Sequence, residues 1–199
     1  MEETYLTILR DKETKTAEFR WAAHGLARLL IPKVVAKLPM KSRAIETPIG
    51  AAQGAYVTDD VMGVPILRAG TAFVPALMDV LPGVPIGYLG MARDEKTAEA
   101  SVYCEKLPPE LYHYAVIMDP MLATGGSVCL TVEILKHAGY DEKNVFFVGM
   151  FAAQVGFDRL KNVIPEGNIV VASNGAQLDE RFYIIGGCGD FGDRYCGTM

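Results

Sequence analysis

Apolar residues recur at helical spacing through residues 16–30, where Phe19, Ala22, Ala23, Leu26, Leu29 and Leu30 share one face and Glu18, Arg20 and Arg28 fall elsewhere. Intervals of three and four are the period of an amphipathic α-helix, and Pro32 marks its expected end. A polar, Gly-rich stretch with no element assigned to it follows. The pattern then shortens: residues 63–67 form a brief apolar run entering Arg68-Ala69-Gly70, and residues 71–80 look helical, broken by Pro75. Residues 85–91 predict a second strand. Residues 92–109 are charged and polar without a core-forming pattern, which fits a loop or an exposed hairpin arm. A strand over 115–118 ends at Asp119, and residues 128–137 predict a helix with Val128, Val132, Leu135 and Ala138 on one face and Gly139 as its stop. Residues 145–151 and 169–172 supply two more buried strands, and residues 183–185 a last short one. Strands alternating with helices predict an α/β fold whose sheet is mainly parallel. Ligands of such sheets sit at the carboxyl ends of the strands, so the loops that begin at Arg68, Arg93, Asp119 and Gly186 carry the interest.

A chain of 199 residues suits one domain with a sizeable core and is too short for two full ones. Apolar residues make up 50% and charged residues 22%, the composition of a soluble globular protein. The net charge of −5 does not support a broad cationic surface for nucleic acid, although local arginines can still bind small anions. The start Met-Glu-Glu has no basic, apolar leader pattern, and no run reaches the roughly 18 apolar residues of a spanning helix, so a cytoplasmic protein without a membrane partner is expected. Cys104, Cys129, Cys188 and Cys196 lack the close pairing of zinc or redox motifs and read as buried or idle thiols. His24, His113 and His137 are scattered singly, which argues against a histidine-based metal site.

Asp119-Pro120-Met121-Leu122-Ala123-Thr124-Gly125-Gly126-Ser127 joins the apolar strand to a helix. Two glycines let successive N–H groups point into one concavity, and the following helix adds its positive end, which suits a phosphate. Thr124 and Ser127 add hydroxyl donors, whereas the Asp119 carboxylate repels phosphate and accepts from sugar hydroxyls. A sugar phosphate satisfies both. The alternative is a plain turn with Ser127 as helix cap, but the apolar strand and Asp119 ahead of it favour the ligand loop. No Lys follows the glycines, so this is not a nucleoside triphosphate loop of the Walker kind.

The segment from Val116 to Ser127 resembles the phosphoribosyl diphosphate signature of the type I phosphoribosyltransferases, in the form found in the uracil phosphoribosyltransferases; purine members usually carry a second acidic residue where Pro120 stands. The resemblance implies that Asp119, Pro120, Met121, Leu122, Ala123, Thr124, Gly125, Gly126 and Ser127 bind phosphoribosyl diphosphate. Val64-Pro65-Ile66-Leu67-Arg68-Ala69-Gly70 resembles the family's pyrophosphate loop, in which Arg68 meets the diphosphate. A guanidinium fork matches phosphate oxygens, and Gly70 is expected to let the backbone turn close to the ligand. Gly90-Met91-Ala92-Arg93-Asp94-Glu95 resembles the start of the family's mobile arm, whose Arg reaches the same diphosphate; the plainer alternative for Arg93 is a solvated charge paired with Asp94 or Glu95. A polar arm suits a lid that closes over charged substrates.

The C-terminal residues 183–198 contain Gly187-x-Gly189-x-x-Gly192, a formal dinucleotide fingerprint, but too little chain follows for a βα unit. The segment instead resembles the family's uracil-binding loop, with Gly186 where Pro is usual. That implies recognition of the base through main-chain groups of Ile184, Gly189, Asp190 and Phe191, with Asp190 also beside the ribose diphosphate. Uracil presents alternating carbonyl and N–H groups, which a tight Gly-rich turn can complement. Read plainly, Asp190, Asp193 and Arg194 would instead form surface ion pairs, a reading that fits Asp193 and Arg194 better than Asp190. A second departure is Ala152-Ala153-Gln154-Val155-Gly156, where the family commonly has Ala-Pro-Glu-Gly. The resemblance otherwise runs in family order from residues 6–10 to the last residues.

The resemblance implies one type I phosphoribosyltransferase domain over 1–199: a mainly parallel central sheet flanked by helices, an N-terminal helical segment (1–40) on the core, a mobile arm (90–110) and a small base-binding hood (173–199). It implies transfer of phosphoribosyl from phosphoribosyl diphosphate to uracil, giving UMP and diphosphate, with Arg68, Arg93, Asp119 and Asp190 as the catalytic set. Asp190 as the base that deprotonates uracil is one such expectation. Magnesium, held chiefly by substrate oxygens and not by side chains, is the implied cofactor. A homodimer or homotetramer is implied, and GTP activates some family members, although no segment here points to its site. Three alternatives stay open at this level: another base as substrate, a nucleotide-sensing RNA-binding regulator of the same fold, and a catalytically silent paralogue.

Overall fold

The computed structural model describes residues 1–93 and 100–198, with the side chains of Arg93 and Ala100 outside the description. In chain order the elements are α1 (Glu2–Arg10), α2 (Thr16–Val35), β1 (Met40–Thr47), β2 (Gly50–Val57), β3 (Val61–Leu67), a 3-10 turn (Ala69–Phe73), α3 (Val74–Val80), β4 (Tyr88–Arg93) and β5 (Ala100–Lys106). They continue with β6 (Tyr114–Met118), β7 (Met121–Leu122), α4 (Gly126–His137), β8 (Val145–Ala153), α5 (Gln154–Lys161), β9 (Ile169–Ala176) and α6 (Phe191–Cys196).

Seven strands form the central sheet, in the order β5-β4-β3-β6-β8, with β7 and β9 also on β8. Every pairing is parallel except β4 with β5. The α/β architecture with a mainly parallel sheet is the one the alternation of patterns predicts. All nine residues of β8 are buried, as a central strand covered on both faces requires. Along β6 the side chains alternate between two cores: Val116 and Met118 pack with Phe19, Leu26 and Leu30 of α2, and Ala115 and Ile117 with Val128, Val132 and Leu135 of α4. Among the described residues no helix is long and apolar enough to cross a membrane.

Several local expectations are corrected. Pro32 does not end α2, which runs on to Val35 because Ile31, Val34 and Val35 are buried while Pro32 and Arg28 face solvent, where water can take the Arg28 carbonyl that Pro32 cannot serve. Pro75 stands in the first turn of α3, where its missing N–H costs nothing. The polar stretch after α2 holds an antiparallel hairpin, β1 with β2; it escapes periodicity because both strands are exposed on both faces. The second predicted strand begins at Tyr88 instead of Pro85, and Ile86 makes only an isolated bridge to Gly63. Residues 100–106 return antiparallel to β4, which is the hairpin alternative for the arm; residues 94–99, including Asp94 and Glu95, lie outside the described residues. The strand expected at 183–185 is reduced to a single bridge between Leu178 and Ile184, because Phe182 adopts φ 63 and the Asp179 carboxylate collects the N–H groups of Arg181 and Tyr183. Helix α1 falls within the N-terminal helical segment that the resemblance implies, whereas α5 and α6 carry no assignment from the sequence, each being short for a clear periodic signal.

Phe19 is fully buried between α2 and α6, edge-on to Phe191 at 5.1 Å. Phe19→Ala is expected to lower the unfolding free energy by about 3–5 kcal/mol. Urea titration followed by the fluorescence of Trp21, the one tryptophan, measures it.

Candidate active site

The carboxyl ends of β3 and β6 open onto a cavity of about 900 Å³. Ile66, Leu67, Arg68 and Ala69 border it from the end of β3, and Asp119, Met121, Ala123 and Ser127 from the β6–α4 connection. Residues 181–184 and 189–192 close it from the C-terminal segment, and Met91 and Tyr103 from the β4–β5 hairpin.

The β6–α4 connection is built on neighbouring backbone. The Asp119 N–H donates to the Val148 carbonyl at 3.2 Å, and the Pro120 carbonyl accepts from Met150 and Phe151 at 3.0 and 2.9 Å. Asp119 Oδ1 accepts the Met121 N–H at 3.3 Å. The first intrahelical bond of α4 runs from Cys129 N–H to the Gly125 carbonyl at 2.9 Å, so the N–H groups of Ser127 and Val128 lie ahead of the helical ladder at its positive end. Ser127 is therefore a residue of the first turn that borders the cavity, not the helix cap; Gly125 holds the cap position. Of the nine residues read as binding phosphoribosyl diphosphate on this loop, Asp119, Met121, Ala123 and Ser127 line the cavity. Leu122 is instead a core residue and Pro120 is buried against β8. Thr124, whose hydroxyl accepts the Gly126 N–H at 3.4 Å, shapes the turn together with Gly125 and Gly126. Gly156 at the start of α5 supports the loop from beneath, since a Cβ there would collide with the Ala123 carbonyl oxygen.

Arg68 follows β3, and its peptide bond to Leu67 is cis. Its guanidinium pairs with Asp193 at 2.7 Å and donates to the Thr198 hydroxyl at 3.2 Å, and that hydroxyl donates to Asp193 at 2.7 Å. Asp193 thus finds its ion-pair partner at the candidate site. The Thr198 hydroxyl and then the Arg68 guanidinium hold its carboxyl below the ordinary value of 3.8. Gly70 does not approach the cavity as expected. A Cβ there would strike the Met118 carbonyl oxygen, so this glycine lets the β3 turn pack against the end of β6. Arg93 is the last residue of β4, and its side chain lies outside the description.

In the C-terminal segment, Ile184, Gly189, Asp190 and Phe191 all border the cavity. Asp190 caps α6, with its Oδ1 accepting the Asp193 N–H at 2.8 Å. Gly186 has φ 71, a conformation closed to proline, whose ring holds φ near −65°. The loop of this chain is therefore shaped differently at that residue from one bearing Pro. Arg194 is not in a surface ion pair: it is 7% exposed and donates to the carbonyls of Leu9, Asp11 and Cys188 at 2.6, 2.6 and 2.9 Å. Arg181 and Phe182 border the cavity without a sequence motif to announce them, whereas Tyr183 opens the segment that resembles the base-binding loop and Tyr103 falls within the arm. The one available signal was the density of polar and aromatic residues just before Ile184. Among the described residues none that lines the cavity is a histidine, and His24 bonds the Tyr195 hydroxyl at 2.7 Å.

A family model described as uracil phosphoribosyltransferase matches residues 2–198 of the chain. The uracil phosphoribosyltransferase of Dictyoglomus turgidum is 40% identical over 195 residues, covering 97% of this chain and 93% of that protein. That of Limosilactobacillus reuteri is 39% identical over 195 residues, covering 97% and 92%. Among solved structures, the AQ2163 protein from Aquifex aeolicus superposes with a TM-score of 0.87 at 32% identity, covering 98% of this chain and 93% of that one.

A carboxyl whose folded value is depressed contributes stability above its unfolded value and loses it as pH falls through the lower folded one. The Asp193 tie to Arg68 is accordingly complete at neutral pH and opens only in acid, below 3.8. Thr198→Ala should raise the Asp193 midpoint seen by carboxyl carbon NMR, and an unmoved midpoint contradicts the assignment. Gly156→Ala is expected to destabilise the fold by about 1–3 kcal/mol through overpacking against Ala123, read as a lowered melting temperature.

Proposed function

The chain belongs to the uracil phosphoribosyltransferase family, and we propose that its cavity transfers the phosphoribosyl group of 5-phospho-α-D-ribose 1-diphosphate to uracil, giving UMP and diphosphate. The observation that carries this reading is the convergence on one cavity of Arg68, Asp119, Ser127 and the segment from Gly189 to Phe191, although they are far apart along the chain.

Each has work suited to its chemistry. The N–H groups at the start of α4, with the Thr124 and Ser127 hydroxyls, take the 5′-phosphate of the sugar. Asp119 accepts hydrogen bonds from the ribose hydroxyls. Arg68 exchanges its carboxylate partner Asp193 for the diphosphate, whose oxygens fit the same fork. Main-chain groups of Ile184, Gly189, Asp190 and Phe191 hold the base. The bond from the anomeric carbon to the diphosphate oxygen breaks with its electron pair leaving on the diphosphate, and a ring nitrogen of uracil, losing its proton, bonds to that carbon. Arg68, with Arg93 from the hairpin, counters the charge that builds on the leaving group, the kind of stabilisation that dominates such reactions. Asp190 stands beside the base as the candidate proton acceptor.

Magnesium fits this donor set. Among the described residues no three acidic, histidine or cysteine side chains cluster, while two hard carboxylates, Asp119 and Asp190, border the cavity. Magnesium binds in that manner, through substrate phosphates and water with one or two carboxylates nearby. When bound it would supply neutralisation of the diphosphate, and Asp119 and Asp190 are the carboxylates that would help to hold it beside the substrate.

Incubation with labelled uracil, phosphoribosyl diphosphate and magnesium is expected to yield UMP, and hypoxanthine, xanthine or cytosine in its place to yield no nucleotide. Arg68→Ala should lower kcat by about 10²–10³-fold. Absence of product from every base, with phosphoribosyl diphosphate still bound, would refute transferase activity. Asp190→Asn should abolish the acidic limb of the pH–rate profile, where protonation of a general base ends turnover, if Asp190 takes the proton, and full turnover at every pH excludes that role.

A further inference from the structure

Arg194 is a buried cation whose hydrogen bonds go to neutral partners. Nη1 donates to the carbonyls of Leu9 and Cys188 at 2.6 and 2.9 Å, and Nη2 to those of Asp11 and Thr14 at 2.6 and 3.5 Å. Its guanidinium carbon lies 4.4 Å from the centre of the Phe19 ring. Leu9, Asp11 and Thr14 belong to the end of α1 and the turn into α2, whereas Cys188 immediately precedes Gly189 at the cavity. A planar trans peptide sets its C=O and N–H in opposite directions. Drawing the Cys188 carbonyl onto Arg194 therefore turns the N–H of Gly189 the opposite way, away from Arg194 and the N-terminal carbonyls it holds, and Gly189 borders the cavity. Among the described residues that N–H has no backbone acceptor.

We propose that Arg194 is a positioning residue for base binding: it anchors the Cys188 carbonyl to the N-terminal segment and so aims the Gly189 N–H at an acceptor on the base. The proposal rests on the reading of the cavity as a site for uracil and phosphoribosyl diphosphate. It assigns Arg194 no contact with either substrate. The guanidinium is needed for its planar fork, which reaches carbonyls on two sides at once; a lysine in its place keeps the charge but has one nitrogen to share. The Arg68 half of the site stands on other bonds, to Asp193 and Thr198, so the phosphate end should be indifferent to the change.

Arg194→Lys and Arg194→Gln are assayed in the full-length protein with magnesium, and KM for uracil and for phosphoribosyl diphosphate are measured separately. The expected result is a KM for uracil raised about tenfold or more, with KM for phosphoribosyl diphosphate within twofold of the parent and the smaller defect in the lysine variant. A parallel rise in both constants, or no change in either with the fold intact, overturns the proposal. A second readout needs neither variant nor turnover. In the unmodified protein the Gly189 amide should exchange rapidly with solvent and be slowed at least tenfold by UMP; an amide already protected without UMP points inward and overturns the proposal even where the variants do not fold. Lack of uracil turnover by the unmodified protein would defeat the transferase reading instead. Under that outcome the Gly189 amide resonance in Arg194→Lys still decides whether Arg194 orients this peptide: a shift supports it and an unmoved resonance overturns it.

Discussion

Arginine-to-carbonyl hydrogen bonds between the two ends of the chain are the constraint on which the candidate site depends. Arg194 reaches from α6 to Leu9, Asp11 and Thr14, while Arg20 of α2 reaches back to the carbonyls of Tyr195 and Cys196 at 2.6 and 3.1 Å. Arg10 holds the Gly186 carbonyl and the Ser173 hydroxyl, each at 2.9 Å. A guanidinium offers five donors in a plane, so one side chain can satisfy several carbonyls that a turn-rich segment leaves outside any ladder. The C-terminal residues have little regular structure, and these bonds with the Phe19–Phe191 contact are what hold them over the sheet.

A second constraint is close backbone approach. Gly70 lets the turn after β3 rest on the Met118 carbonyl, and Gly156 lets the β6–α4 loop rest on α5. Neither glycine is among the residues that line the cavity. Both hold cavity-bordering backbone at separations that a methyl group would forbid, and Arg68 and Ser127 border that one cavity. Arg68 meanwhile stands paired with Asp193, so this cation at the cavity is kept in place by an internal anion.

Periodicity and motif carried the reading of the chain a long way. The buried runs in β3, β6 and β8 and the amphipathic stripes of α2 and α4 are local signals, and they suffice for an α/β fold with a mainly parallel sheet. The loop from Asp119 to Ser127, Arg68 and the segment from Ile184 to Phe191 were legible because each kind of chemistry needs particular residues at short spacing. The hairpin of β1 and β2 was not, since strands exposed on both faces have no alternation to display. Pro32 and Pro75 were misread as breaks because the cost of a proline depends on which side of the helix meets water and which turn it occupies, neither of which is written in the residue itself.

The sequence by itself therefore determined the alternation of strands and helices that builds the central sheet, the loops that border the cavity and the residue types those loops present. Tertiary structure alone decided which partners those residues have. Arg194 looked like a surface charge because its neighbours in sequence are polar, yet Leu9, the carbonyl it holds, is 185 positions away. Gly70 looked like a concession to the ligand and proved to be a concession to Met118. A side chain's burial and the acceptor it reaches are fixed by elements that fold back upon it from far along the chain, and no local pattern encodes that return.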